Sequence, residues 1–160
     1  MKSLDELLRM NDYDIGKHLY IEAIHINKRL EPVYENIIKT IPQWAYHYAL
    51  NILKDRWPEA EPYILKNEII IIEYITNVIK ERWPEAELII MKDPYNAYLY
   101  AYRILKRRWP EAEPYIMKDP PIALNYARFV IQGRWPEAEP YIKRNLYLFY
   151  VYFEEFIKDK

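Results

Sequence analysis

Four arginines, Arg56, Arg82, Arg108 and Arg134, each stand directly before a tryptophan: Trp57, Trp83, Trp109 and Trp135. Lys54, Lys80 and Lys106 lie two residues before the first three arginines. Cations interleaved with large aromatic rings are what a single-stranded nucleic-acid groove needs, the cations for phosphates and the rings for bases. Two glutamates follow each of these four tryptophans, as in Glu59/Glu61 and Glu85/Glu87, and these would repel a phosphate chain. Paired carboxylates can divide acid and base roles. Here they recur in every copy of the motif, whereas an active site is normally single, and the arginines have an alternative use as an internal Arg–Glu ladder joining units.

Other chemistry is sparse. His18, His25 and His47 are the only histidines, with no Asp or Cys at ligand spacing to complete a metal site. Glycine-rich phosphate loops, Gly-x-Ser-x-Gly elbows and Cys/His sets do not occur. No catalytic residue, metal or cofactor is expected; an enzyme would need one cleft with a non-repeated acid or base, for example near His47 or Glu73.

The elements that position these residues follow from a strict period. Arg-Trp-Pro-Glu-Ala-Glu-Pro-Tyr-Ile occupies Arg56–Ile64, Arg108–Ile116 and Arg134–Ile142, and Arg82–Ile90 differs only by Leu88 and Ile89. The spacing is always 26 residues, the signature of stacked repeats. The expected fold is all-α, a helical-repeat α-solenoid of two-helix units, each a long helix followed by a short proline-containing one.

Long helices are expected over Pro42–Lys54, Glu68–Lys80, Pro94–Arg107, Pro120–Gln132 and Leu146–Lys158. Asn67, Asp93, Asp119 and Asn145 precede four of them as N-caps, and Ile41 precedes the other. Ala97, Tyr100, Ala101, Ile104 and Leu105 fall at i, i+3, i+4, i+7 and i+8, one apolar helical face that other units share. Paired alanines let helices approach closely while the tyrosine fills the remaining space. Glu68–Thr76 reads as a strand on β-branched content, but Tyr74 falls on the tyrosine column, so the period assigns it to a helix. In the short helices Pro58, Pro84, Pro110 and Pro136 suit the first position. Pro62, Pro114 and Pro140 follow four residues later and predict a kinked or partly 3₁₀ element. The tryptophans should wedge the corners between helices.

Before the clear repeats, Ser3 and Glu6 form a capping box for a helix over about Leu4–Met10. The frame projected backwards lays Glu31–Lys39 on Trp57–Leu65, a degenerate copy whose long helix would be Gly16–Leu30. The expected division is a capping helix (1–14), a degenerate unit (15–40), full units (41–66, 67–92, 93–118, 119–144) and a C-terminal half unit (145–160), all in one domain.

The chain has 160 residues, 51% hydrophobic and 29% charged, with net charge -1, which removes the simplest argument for nucleic acid or an acidic membrane surface. It has no cysteine, no basic-apolar leader and no apolar run longer than Leu146–Phe153. A cytoplasmic location and no membrane partner are expected.

Columns that vary between units are where an array can alter its recognition surface. One holds His47, Glu73, Leu99, Asn125 and Val151; a second Leu50, Thr76, Tyr102, Arg128 and Glu154; a third Asn51, Asn77, Arg103, Phe129 and Glu155. Tyr95, Tyr98 and Tyr102 at i, i+3 and i+7 form an aromatic row that either anchors a partner or is buried by neighbouring units. With Arg103, Arg128 and Phe129 they make the candidate partner surface. Phe149, Tyr150, Phe153 and Phe156 in the last unit either close the core or form an oligomer or partner end, a homodimer included.

The stretch Arg108–Pro120, with Ala123 and Tyr126-Ala127 following, resembles tandem repeats of predicted proteins from bacteriophages and large DNA viruses. The resemblance covers about residues 41–160 and implies no established activity. It implies a small viral protein acting in the host cytoplasm by docking on a host protein, host defence nucleases of the CRISPR type included. The expected function is a non-enzymatic protein-binding scaffold. The alternatives are a nucleic-acid binder using the Arg/Lys–Trp ladder and a structural homo-oligomer.

Overall fold

A computed structural model describes residues 2–158. The protein is an all-α helical repeat, with no strand among the described residues. It divides into two compact units, Met1–Lys80 and Glu81–Lys160.

In the first unit, α1 (Leu4–Leu7) is closed by the Ser3/Glu6 capping box, three residues short of the expected end. The Asn11 side chain accepts from the Asp14 N–H and starts α2 (Asp12–Ile26), four residues ahead of the expected Gly16. Asn27, in the left-handed region, ends it four residues before the expected Leu30. Then come α3 (Pro32–Ile38), α4 (Pro42–Tyr48), α5 (Glu61–Ile64) and α6 (Glu68–Tyr74). The isoleucine-rich α6 is helical, as the period required, with Ile71 and Ile75 buried in the alanine columns. The long helices α2, α4 and α6 pack side by side.

The second unit repeats the pattern with α7 (Pro84–Ile90), α8 (Pro94–Tyr100), α9 (Glu113–Ile116), α10 (Pro120–Tyr126), a 3₁₀ turn (Pro136–Ala138), α11 (Glu139–Ile142) and α12 (Leu146–Phe156). Here α10 packs between α8 and α12. The side chains of Asn67, Asp93, Asp119 and Asn145 all accept from helix amides as N-caps. Ile41 supplies none, leaving Pro42 at the first turn to reduce the number of orphan donors.

The short helices contain their own control. Where Pro62, Pro114 or Pro140 is present, the regular α-helix is cut to four residues; where Leu88 stands instead, α7 runs unbroken from Pro84 to Ile90. The second proline lacks the N–H that would bond one turn back, which is enough to break the first turn into a bend or 3₁₀ turn.

One feature of the long helices has no counterpart in their apolar periodicity. After Tyr48, Tyr74, Tyr100 and Tyr126 each continues as a π-helical segment: Ala49–Leu53, Ile75–Ile79, Ala101–Leu105 and Ala127–Ile131. Each ends on a left-handed residue, Lys54, Lys80, Lys106 or Gln132, with φ between 52° and 58°. A π-turn inserts one residue into a helix. In α2, which is α-helical throughout, the path from buried Ala23 to left-handed Asn27 is one residue shorter than from Ala49 to Lys54. Downstream, Glu31 adds a residue between Leu30 and Pro32 that has no equivalent between Trp57 and Pro58. The deletion and the insertion cancel, so the degenerate copy keeps the period while its corner is displaced by one. Leu30, not Glu31, takes the tryptophan's place.

Candidate functional site

The conserved-looking chemistry of the phrase is spent on one repeated construction. Arg56 reaches Glu61 with Nε–H and a terminal amino group at 2.9 Å each, a bidentate pair within one corner. Arg82–Glu87, Arg108–Glu113 and Arg134–Glu139 repeat it, at 2.6 and 3.0, 2.8 and 2.8, and 2.6 and 3.3 Å. The pairs thus lie inside units instead of joining them as expected. Joining is done by the tyrosine column. Trp109 N–H donates to Tyr126 Oη at 2.6 Å, and that hydroxyl donates to Glu113 Oε1 at 3.1 Å. Tyr74 bridges Trp57 N–H and Glu61 in the same way, Tyr100 bridges Trp83 N–H and Glu87, and Tyr152 bridges Trp135 N–H and Glu139. A fifth rung sits in the degenerate corner: Arg29–Glu35, with Tyr48 accepting from Leu30 N–H and donating to Glu35. The one-residue offset of Arg29-Leu30 from the strict frame hid this rung. A search for Arg followed five or six residues later by Glu would have found it.

Electrostatics agree with a structural role. Burial pushes the hydroxyls of Tyr74, Tyr100 and Tyr126 well above the usual tyrosine value. The bidentate arginines Arg82 and Arg134, outweighing burial, hold Glu87 and Glu139 below the ordinary carboxylate range. At neutral pH these carboxylates are paired anions and the phenols neutral donors, a fully satisfied network. All four phrase tryptophans are buried, and Trp57, Trp109 and Trp135 lie 5.1 Å centroid to centroid from the tyrosines of their own long helices. A base cannot stack on those rings without opening the corner.

Two of the three histidines, His47 and His18, are likewise engaged, and His25 is exposed. His47 packs against Tyr20, Trp44 and Tyr46, and its burial lowers its pKa. Glu73 accepts from Asn77 Nδ2 at 3.1 Å. His18 accepts from the Lys2 N–H and lies 4.0 Å from Glu22. Among the described residues no group of three His, Cys, Asp or Glu side chains could hold a metal ion, and no helix is long and apolar enough to cross a membrane.

No protein family, curated protein or solved structure matches the chain.

What remains on the surface comes from the variable columns. Tyr95 is 53% exposed and Tyr102 46%, but Tyr98 between them is only 8% exposed, with its ring stacked on Tyr102 at 5.9 Å. The row is therefore two exposed rings on one buried support. Phe129, 43% exposed, meets Tyr102 at 6.0 Å. Arg103 is exposed; Arg128 is locked onto Glu155 with a bidentate grip and lies over the Phe129 ring. Arg128 thus orients Phe129 and is not a free contact.

In the last unit Tyr150 is 62% exposed, and Leu146, Tyr147 and Phe153 are also exposed. Phe149 is half-buried beneath the Lys143 ammonium. Phe156 is buried and packs on Tyr152 at 5.1 Å, closing the core instead of forming the exposed end.

Beside Tyr102 lies a cleft of about 240 Å³ lined by Ala101, Tyr102, Lys106, Arg107, Phe129 and neighbours in the following π segment. The first unit has its counterpart, about 120 Å³, lined by Leu50, Lys54, Asn77, Val78 and Lys80. The backbone construction is shared; the decoration differs. The sequence reading places Lys106 only in the basic ladder beside the tryptophans and does not include Arg107, although the column Asp55, Glu81, Arg107, Gly133 changes sign at this point.

Proposed function

We propose that the protein is a non-enzymatic helical-repeat scaffold that docks on another protein through the exposed face of α8, α10 and their π segments, with Tyr95, Tyr102, Arg103 and Phe129 as contacts. The observation that carries this reading is a division of labour between columns. The invariant Arg, Trp, Glu and Tyr positions are consumed by the corner network. Leu50 and Asn77 of the first unit become Tyr102 and Phe129 in the second, and both rings stay close to half exposed. Rigid aromatic rings beside an arginine are the side chains that dominate protein interfaces. The resemblance of the repeated phrase to viral tandem repeats extends the proposal to a host protein, CRISPR-type nucleases among them.

A second surface has its own support. Leu146, Tyr147, Tyr150 and Phe153 expose an apolar cluster in the last unit, which favours self-association there.

The test is affinity isolation from a nuclease-treated host lysate, comparing the wild type with Tyr95→Ala/Tyr102→Ala/Phe129→Ala. A protein retained by the wild type and reduced at least about tenfold by the variant supports the reading. Material lost on nuclease treatment, or equal capture by the variant, contradicts it.

A further inference from the structure

The docking face has a chemistry of its own, and this inference rests on the reading above. Two cations line the Tyr102–Phe129 cleft, Lys106 and Arg107, and a third, Arg103, follows Tyr102 in the chain. All are exposed, and none is hydrogen-bonded or ion-paired among the described residues. Arg107 also lines an adjoining cleft of about 190 Å³ with Arg82, Arg108 and Glu111. Of the acidic pair in the last unit, Glu155 is held by Arg128 and Glu154 by Lys158.

The equivalent cleft of the first unit, lined by Lys54 and Lys80, shares the basic character but not the rings. There Lys54 is followed by Asp55, and the positions of Tyr102, Arg103 and Phe129 are Leu50, Asn51 and Asn77. Asn51 and Asn77 turn their amides onto the hydroxyls of Tyr20 and Tyr46. The first cleft also carries two cations, Lys54 and Lys80, but its amides are internally satisfied and no aromatic ring lines it. The other combines unpaired cations with half-exposed rings.

We propose that the Tyr102–Phe129 cleft binds an acidic segment of the partner protein. Its carboxylates would meet Lys106 and Arg107, with Arg103 at the edge, while an adjacent apolar side chain rests on Tyr102 and Phe129. Charge complementarity selects this occupant, and two observations favour it over single-stranded nucleic acid. Tyr102 has one face against Tyr98 and meets Phe129 at a tilt, so a base could not be sandwiched there and would stack on one face at most. The arginines that would extend a phosphate track, Arg82, Arg108 and Arg134, are neutralised by bidentate glutamates. On this face Arg103, Lys106 and Arg107 carry no bidentate partner and form a patch suited to a short segment.

The experiment is selection of a displayed library of random peptides, about twelve residues long, on the full-length chain. Enriched peptides are then titrated against wild type, Lys106→Glu/Arg107→Glu and, in the first-unit cleft, Lys54→Glu. Circular dichroism melts confirm that the variants fold. The expected result is enrichment of Asp and Glu beside an apolar residue, with affinity falling at least about tenfold in the double variant and as salt rises, and unchanged in Lys54→Glu. Enriched peptides without acidic character, or indifferent to the double variant, overturn this inference but leave the docking reading standing. Failure to enrich any peptide, with a labelled oligothymidine bound by wild type and lost in the double variant, overturns both.

Discussion

Tyr126→Phe removes a single oxygen and should be among the most damaging conservative changes in the chain. That hydroxyl is fully buried, accepts from Trp109 N–H at 2.6 Å and donates to Glu113 at 3.1 Å. Phenylalanine fills the same space, so packing is nearly unchanged and the hydrogen-bond term stands alone. The Trp109 amide is then buried without an acceptor, which costs about 1–3 kcal/mol, and the carboxylate loses one donor while keeping Arg108. Together these give a loss of about 2–3 kcal/mol. For a compact unit of this size that lowers the melting temperature by roughly 10–20 °C. Scanning calorimetry and urea titration measure it, with exposed Tyr95→Phe as a control expected within about 0.5 kcal/mol of wild type. A Tyr126→Phe cost below about 0.5 kcal/mol would refute the claim that the tyrosine hydroxyls join the repeats.

Three other changes probe different parts of the fold. Lys54→Gly relieves a left-handed backbone at φ 56° and should stabilise by about 0.5–1 kcal/mol in the same melts. Gly16→Ala places a Cβ 2.2 Å from Trp44 Cδ1 and should destabilise by about 1–3 kcal/mol despite alanine's better helix propensity. The third is pH. The buried tyrosines hold their protons above the ordinary value of 10, so in that range the unfolded chain binds fewer protons than the folded one. The associated stability is complete below pH 10 and is lost as pH rises beyond it, and absorbance at the tyrosinate band should show a late-titrating class coincident with unfolding. On the acid side Glu87 and Glu139 are depressed below 4.5, so their contribution is present above that pH and is lost as pH falls through their folded values.

The period carried most of the architecture. Caps at Asn67, Asp93, Asp119 and Asn145, the alanine–tyrosine face and the proline-broken short helices were all legible, because each rests on local backbone chemistry. Helicity of the isoleucine-rich α6 followed from the column occupied by Tyr74, against its local composition. The π segments were not legible. Their extra residue is absorbed in a helix whose apolar columns look the same for either winding, and only the degenerate α2, one residue shorter, exposes the difference. The site was legible in part. Tyr102 and Phe129, from variable columns, and Tyr95 of the aromatic row are exposed, but Tyr98 on the same row is buried and Arg128 is taken by Glu155. Spacing names a helix face and does not say how much of that face a neighbouring helix covers. Lys106 was read as part of the arginine–lysine ladder, and Arg107 escaped notice because the sign change from Asp55 to Arg107 lay in a column outside the repeated apolar face.

The proposed function stands on whether the variable aromatic face meets a protein. Site-specific photo-crosslinking reads this most directly: a benzophenone amino acid is placed at Tyr102, or at the equivalent Leu50, in nuclease-treated host lysate. The account predicts a discrete protein adduct from position 102 and none from position 50. Adducts of equal yield from both positions, or none from 102, would contradict it.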